Sequence, residues 1–459
     1  MTTTSAPPRL LFATYLPFAV GAVSLVTLGA FENRATGTVL PVVADELDGL
    51  TLFGAASAAP MITYVVATAV AGALADRGGP TRVLRLGAAT FAVGQLLASL
   101  APTMLVFAFG RLLSGFAEAF LDIGLTVLMA RALPESLRAK VFATFAAAWV
   151  VPSLVGPSVA GLIAEHLGWR WVFLLAVVLL VPSFALLLPS MRRTPVEPLA
   201  SWDAHQRTVA RSAAGAAALL AVVTAAGSLA GTAWVTVALT VMVTAVAGLA
   251  LLVRRVLPDG TLTGTVGIPA VTASRGLAAA AFGTAGSFLP LMLTTTRGLS
   301  PALAGVTLTL TGVFWATGSF VHGLDAVQAR FAPTTRLRFG FGAITVGLAG
   351  PGLLAVDAIP LVPALVLWSI AGLGMGVASP TLSTQMLRLS KKGEEGANSA
   401  ASNMAASLSG AVGTALGGAL VATRADHLEG WVFAVIIATA VLMGALGFRL
   451  APAAGLRPD

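Results

Sequence analysis

The chain has 459 residues, of which 57% are hydrophobic and only 10% charged, with a mean hydropathy of +0.91; that is too little polar surface to coat a water-soluble globule. A formal net charge of +8 would suit nucleic acid, but the basic residues are spread among short connections instead of forming one aromatic-interleaved patch, so no nucleic-acid partner is expected. There is no cysteine, hence no disulfide, thiolate metal site or thiol nucleophile, and His166, His205, His322 and His427 lack ligand spacing, so neither metal nor cofactor is expected.

Lipid is therefore the natural solvent. The apolar runs are long and lack strand-like alternation, which predicts helices and not a barrel. The apolar stretch from Leu10 to Phe31 is too long for a signal peptide's core and reads as a retained first span. Runs of roughly 18 or more apolar residues place spans near 12–41, 50–75, 83–101, 103–131, 138–165 and 169–189. A polar linker, 190–211, leads to an Ala-rich hairpin, 212–258, with spans near 212–230 and 233–253. Six further spans fall in 259–459, near 266–295, 300–323, 338–356, 360–387, 396–423 and 430–450. The expected fold class is an all-α membrane protein of about fourteen spans, a first six-helix bundle over 1–189, the linker, the hairpin, and a second six-helix bundle.

The first span ends Phe31-Glu32-Asn33-Arg34-Ala-Thr-Gly-Thr-Val-Leu40-Pro41. A carboxylate held in hydrocarbon is costly when ionised and tends to take a proton, so Glu32 is a proton-coupling candidate. Arg34 leaves the helix roughly 200° away from Glu32, and a snorkel to the headgroups is expected of it. The second span closes on Gly72-Ala-Leu-Ala-Asp76-Arg77-Gly78-Gly79-Pro80-Thr-Arg82, a glycine-permitted tight turn bearing an acid and two arginines that could latch one bundle to the other. In the fourth span Arg111, Gly115, Glu118 and Asp122 are spaced 4, 3 and 4 and share one helical stripe, expected to face a cavity.

Counting from the expected span ends, Glu32 lies about 13 Å and Arg111 about 12 Å from the same membrane face, so the two are predicted to pair until substrate or a conformational change parts them. Glu118 and Asp122 lie deeper, as proton relay, as selectors of cationic substrate, or as a static ion pair with Arg111. The fifth span carries Pro152-Ser-Leu-Val-Gly156-Pro157-Ser-Val-Ala160-Gly161, whose small residues permit close helix approach and whose prolines remove backbone donors. Gly168-Trp169-Arg170-Trp171-Val172-Phe173 opens the sixth. Arg275 suits an anion contact or an inner-end snorkel equally. Phe145, Trp149, Phe288 and Trp315, with Phe282 and Trp368, are candidates for an aromatic substrate chamber, although each also suits packing or a lipid-facing position.

Alternate connections hold 21 of the 27 Lys and Arg residues, which by the positive-inside tendency puts both termini in the cytoplasm and requires an even number of spans. The halves echo each other: Gly49-Leu50-Thr51 opens the second span and Gly298-Leu299-Ser300 the tenth, each leading to a basic loop.

The loop from Gly72 to Arg82 resembles the signature loop of the major facilitator superfamily, and Arg111-Leu-Leu-Ser-Gly115 is similar to its fourth-span motif. The 152–161 segment resembles the antiporter motif, with Pro152 and Ala160 in place of two glycines. Phe31 to Pro41 and the Trp-Arg-Trp opening of the sixth span resemble the fourteen-span drug:H+ antiporters, although Ala176 and Val178 replace the Asn and Pro that usually follow, and Arg131 an acid. The resemblance implies a major facilitator fold, 6+2+6, in the inner (cytoplasmic) membrane. It also implies a monomer that exchanges protons for amphipathic small molecules, cationic ones among them. The same scaffold would also suit export of lipids or of an endogenous metabolite, or a transport-silent membrane sensor. No H-E-x-x-H, G-x-S-x-G or phosphate loop suggests an enzyme or ATP drive.

Overall fold

A computed structural model describes residues 8–132, 135–194, 201, 204–254, 257–391 and 394–455. Among these there is no strand. The first set of helices is α1 (Pro8–Glu46), α2 (Phe53–Gly78), α3 (Pro80–Ser99), α4 (Met104–Ala132), α5 (Glu135–His166) and α6 (Arg170–Ala185). Then come the short α7 (Leu188–Arg193) and a pair, α8 (Ala204–Ser228) and α9 (Val235–Val253). The last set is α10 (Ile268–Arg297), α11 (Pro301–Gly323), the short α12 (Asp325–Arg330), α13 (Pro333–Ala355), α14 (Leu361–Leu389), α15 (Glu395–Ala422) and α16 (Gly430–Gly455). Fourteen of the helices described have 16 residues or more. Eleven are each long and apolar enough to cross a bilayer, while the second part of α5 and α6 meet that test only together, bent by 120° at their junction. The chain is a multi-pass membrane protein.

Local chemistry sets the breaks. Gly79 joins α2 to α3 as a single residue at φ 78°, and Pro80 occupies the first position of α3, where its missing N–H costs nothing. Gly298, in the left-handed region at φ 62°, ends α10 with its N–H on the Leu293 carbonyl. Two residues later Ser300 caps α11 by accepting the Leu303 N–H, with Pro301 next. Two expectations are corrected. Pro41 does not end the first helix, which runs on to Glu46 and keeps Val43 and Ala44 fully buried; an internal proline forfeits one hydrogen bond but need not stop a packed helix. The stretch 190–211 is not all linker either, since α7 lies across its start and α8 begins at Ala204.

Helices α1–α6 pack among themselves, as do α10, α11 and α13–α16, and the two sets meet chiefly along α5 with α11 and α2 with α15. Helix α8 lies against both α2 and α15, where Ala213, Ala216 and Leu220 bury themselves among Ala58, Ile62, Val65, Ala405 and Leu408.

At the end that carries residues 47–52 the sets close on backbone. Gly54 lies so near Gly418 that a Cβ would strike its Cα, Gly161 faces the backbone of Ala302, and Gly305 faces the Pro157 carbonyl. Phe53 and Phe288 meet across the same closure, tilted by 40° with ring centroids 5.5 Å apart, and Ser158 hydrogen-bonds Thr309 at 2.9 Å.

Candidate functional site

Glu32 and Arg111 meet. The carboxylate on α1 is 6% exposed and the guanidinium on α4 is 4% exposed; Arg111 Nη1 donates to Glu32 Oε1 in a buried ion pair. Thr36, one turn along α1, donates to the Glu32 backbone carbonyl at 2.8 Å and lies 3.4 Å from Oε1. Two charges so placed must keep each other: taking away one partner of a buried pair costs about 3–5 kcal/mol.

The remainder of the α4 stripe is used differently from expectation. Gly115 does not face a cavity; it lies against the backbone of Pro60, so its missing side chain is what lets α2 approach α4. On the same seam Thr63 donates to the Leu112 carbonyl at 2.6 Å. Asp122, half-buried, accepts from the Tyr64 hydroxyl of α2 at 3.1 Å. Among the described residues neither Glu118 nor Asp122 forms a salt bridge with Arg111. Tyr64 went unnoticed in the sequence, though its rarity was a signal, the chain having two tyrosines in all.

Between the two helix sets lies a cavity of about 160 Å³. Helix α1 gives it Asn33, Arg34 and Gly37, α5 gives Ser153 and Pro157, and α10 gives Phe282, Gly283, Gly286 and Ser287. Helix α11 adds Thr311, Gly312 and Trp315, and α14 adds Trp368. Trp315 is among the residues that line it. Phe288 is not: its ring is fully buried against Phe53 and Gly417 in the closure, because it sits six residues, about one and two-thirds turns, beyond Phe282 on α10. The side chains of Phe145 and Trp149 lie outside those described. Arg34 does not snorkel; its guanidinium carbon stands 5.3 Å from the Trp315 ring centroid inside the cavity. Arg275 holds α14, donating to Ser379 Oγ at 3.0 Å.

Two further motif groups have structural partners. Gly156 of α5 faces Phe31 and Arg34 of α1, and Gly161 faces α11, so the small residues of the 152–161 segment serve two separate helix contacts. Gly72, Asp76, Arg77, Gly79 and Arg82 surround the α2–α3 turn, with Asp76 exposed. A larger apolar crevice of about 620 Å³ runs between α9 and α10, α15 and α16, with Arg449 at its edge.

The profile of the Major Facilitator Superfamily matches residues 22–414. A Mycobacterium tuberculosis protein named "probable multidrug-efflux transporter" is 27% identical over 436 residues, covering 90% of this chain and 89% of its own. The multidrug efflux pump LfrA of Mycolicibacterium smegmatis is 29% identical over 414 residues, covering 85% and 77%. Among solved structures, a transporter of the POT family aligns with a TM-score of 0.67 at 15% identity, covering 96% of each chain. A bacterial homologue of the lysosomal transporter Spinster, captured inward-facing and unoccupied, aligns at 0.65 and 13%, covering 99% of this chain and 100% of that one; at these identities the two share the fold. With that profile spanning most of its length, this chain belongs to the major facilitator superfamily of membrane transporters.

Proposed function

We propose that the chain exports amphipathic small molecules across the cytoplasmic membrane in exchange for protons. One observation carries this reading: α1 holds Glu32 in the buried pair with Arg111 and, in its next two residues, presents Asn33 and Arg34 to the central cavity. A cargo that shifts α1 therefore acts on the pair, and a proton that dissolves the pair acts on the cavity. The names of the mycobacterial relatives support efflux as the direction.

In this reading the fourteen long helices form a 6+2+6 arrangement, with bundles over 1–189 and 259–459, the hairpin of 212–258 between them, and both termini in the cytoplasm. The monomer rocks about the cavity. Pro152, Gly156, Pro157 and Gly161 make α5 the pivot against α1 and α11, and Gly72, Asp76, Arg77, Gly79 and Arg82 form the latch at the cytoplasmic mouth. Glu118 and Asp122 stand on α4 below the Glu32–Arg111 pair as the path by which a proton reaches the cytoplasmic side, with Tyr64 orienting Asp122.

The test is transport in proteoliposomes with an imposed pH gradient, using amphipathic probes of either charge. Gradient-dependent movement that collapses with a protonophore is the expected result. Movement of a probe at the same rate with and without the gradient would reject proton exchange. The apolar crevice beside α9 favours a second reading, export of a lipid; altered envelope lipids in a deletion strain, with no change in drug sensitivity, would select it.

A further inference from the structure

Arg34 has neither a carboxylate nor a hydroxyl partner among the described residues, in contrast to Arg111, Arg275 and Arg297. Arg111 has Glu32, Arg275 has the hydroxyls of Ser379 and Ser383, and Arg297 lies 2.5 Å from Asp357. Arg34 has an indole face, Trp315, and its Nε is buried without a hydrogen-bond partner. Among the described residues no carboxylate lines the cavity it enters. The acid two residues away, Glu32, leaves α1 on another side and is held by Arg111. A guanidinium partly withdrawn from bulk water without a counter-charge is disfavoured, and one cation–π contact recovers a fraction of the loss.

The wall beside it is built for a flat apolar ring. Phe282 meets Trp315 edge-on at 5.3 Å and lies parallel to Trp368 at 5.0 Å and 11°. The Trp368 indole N–H is a second buried donor without a partner. Open space lies alongside: a Cβ added at Gly37 or Gly283 would meet nothing within 4 Å, and at Gly286 only the edge of Trp368.

We propose that the central cavity is an anion-accepting site for a compact aromatic carboxylate, its acid group on Arg34 and its ring against Phe282, Trp315 and Trp368. The inference rests on the exporter reading and narrows its amphipathic cargo to anions, away from the cationic ones that the sequence also allowed. Arg34 is then the residue that sets substrate charge, because a cation placed in the same space meets an uncompensated positive group.

The test uses the purified full chain in detergent, in chloride-free buffer, with three isosteric probes: 2-naphthoate, 2-naphthamide and 2-naphthylmethylammonium. Calorimetric titration should give naphthoate at least tenfold tighter than the amide, with the ammonium weakest. Arg34→Gln should erase the preference, while Arg275→Gln, outside the cavity, should keep it. Arg34→Lys guards against misfolding of the first variant: it keeps the charge without the fork, so naphthoate should weaken while the order of the three probes persists. Equal or tighter binding of the amide or ammonium to the unaltered chain overturns the proposal, as does an undiminished preference in Arg34→Gln. So does inorganic phosphate or chloride matching naphthoate, which would make this a small-anion site only. Proteoliposomes separate the two readings. Export of the ammonium but not of naphthoate leaves an exporter and sinks the anion site; Arg34-dependent naphthoate binding with no transport of any probe does the reverse.

Discussion

Glu32→Gln leaves Arg111 charged, buried and unpaired, so the variant should lose about 3–5 kcal/mol of stability as well as gradient-driven transport. The double variant Glu32→Gln/Arg111→Met removes both charges and should recover most of the melting temperature but none of the coupling. Thermal unfolding read beside transport separates the two effects; a double variant that still pumps would remove the pair from the mechanism. The partnership could be read from sequence because an acid and a base in hydrocarbon each need the other. The depth count behind it assumes a helix end that α1 does not have: run instead from Glu46 and Met104, it separates the two residues by about 10 Å although they touch, because the two helices do not end at one level. The snorkel expected of Arg34 fails for a related reason. Distance from Pro41 suggested a headgroup within reach, yet the direction in which α1 faces α5 and α11 is a property of packing, and no pattern along one helix reports it.

The Trp-Arg-Trp opening of α6 anchors the far end of α1. Trp169 Nε1 donates to Glu46 Oε2 at 2.8 Å while its ring packs edge-on against Phe107 and Phe173, and Arg170 lies over that ring and pairs with Glu46. The parts are unequal. The Glu46 and Arg170 side chains are 49% and 41% exposed, so Glu46→Ala should cost at most about 1 kcal/mol. Trp169, 1% exposed, should cost about 3–5 kcal/mol as Trp169→Ala. Paired thermal melts check the ratio, and similar losses in both variants would show that the charge, not the ring, holds the joint. At this scale the sequence was informative: the long helices fall near their expected places because apolar runs define them, and the glycines at 79 and 298 mark true stops. Their ends were less legible, since Pro41 and the polar residues from Ala204 onward are local signals overruled by packing.

Across the whole molecule the two seams between helix sets differ. Helix α8 covers the α2–α15 seam, and nothing among the described helices covers α5–α11 in the same way. If the hairpin travels with the second bundle, a disulfide from α8 to α15 should be silent. A Cβ at Gly227 would stand 3.3 Å from that of Ala419, close to disulfide geometry, and the absence of native cysteine leaves no background. Gly227→Cys/Ala419→Cys, oxidised, should therefore transport at the unmodified rate; arrest on oxidation, relieved by reductant, would show that α8 slides on α15 during the cycle.

The closure where Gly305 meets Pro157 and Gly54 meets Gly418 has one further consequence. It contains no ion pair between bundles among the described residues; main chain lies against main chain, with one ring contact and one hydroxyl hydrogen bond beside it. Such a press-fit answers to girth and is indifferent to ionic strength. One isopropyl group, Gly305→Val, should hold that mouth ajar and halt turnover, while molar salt should leave the balance of conformers, followed by spin labels across the mouth, where it was.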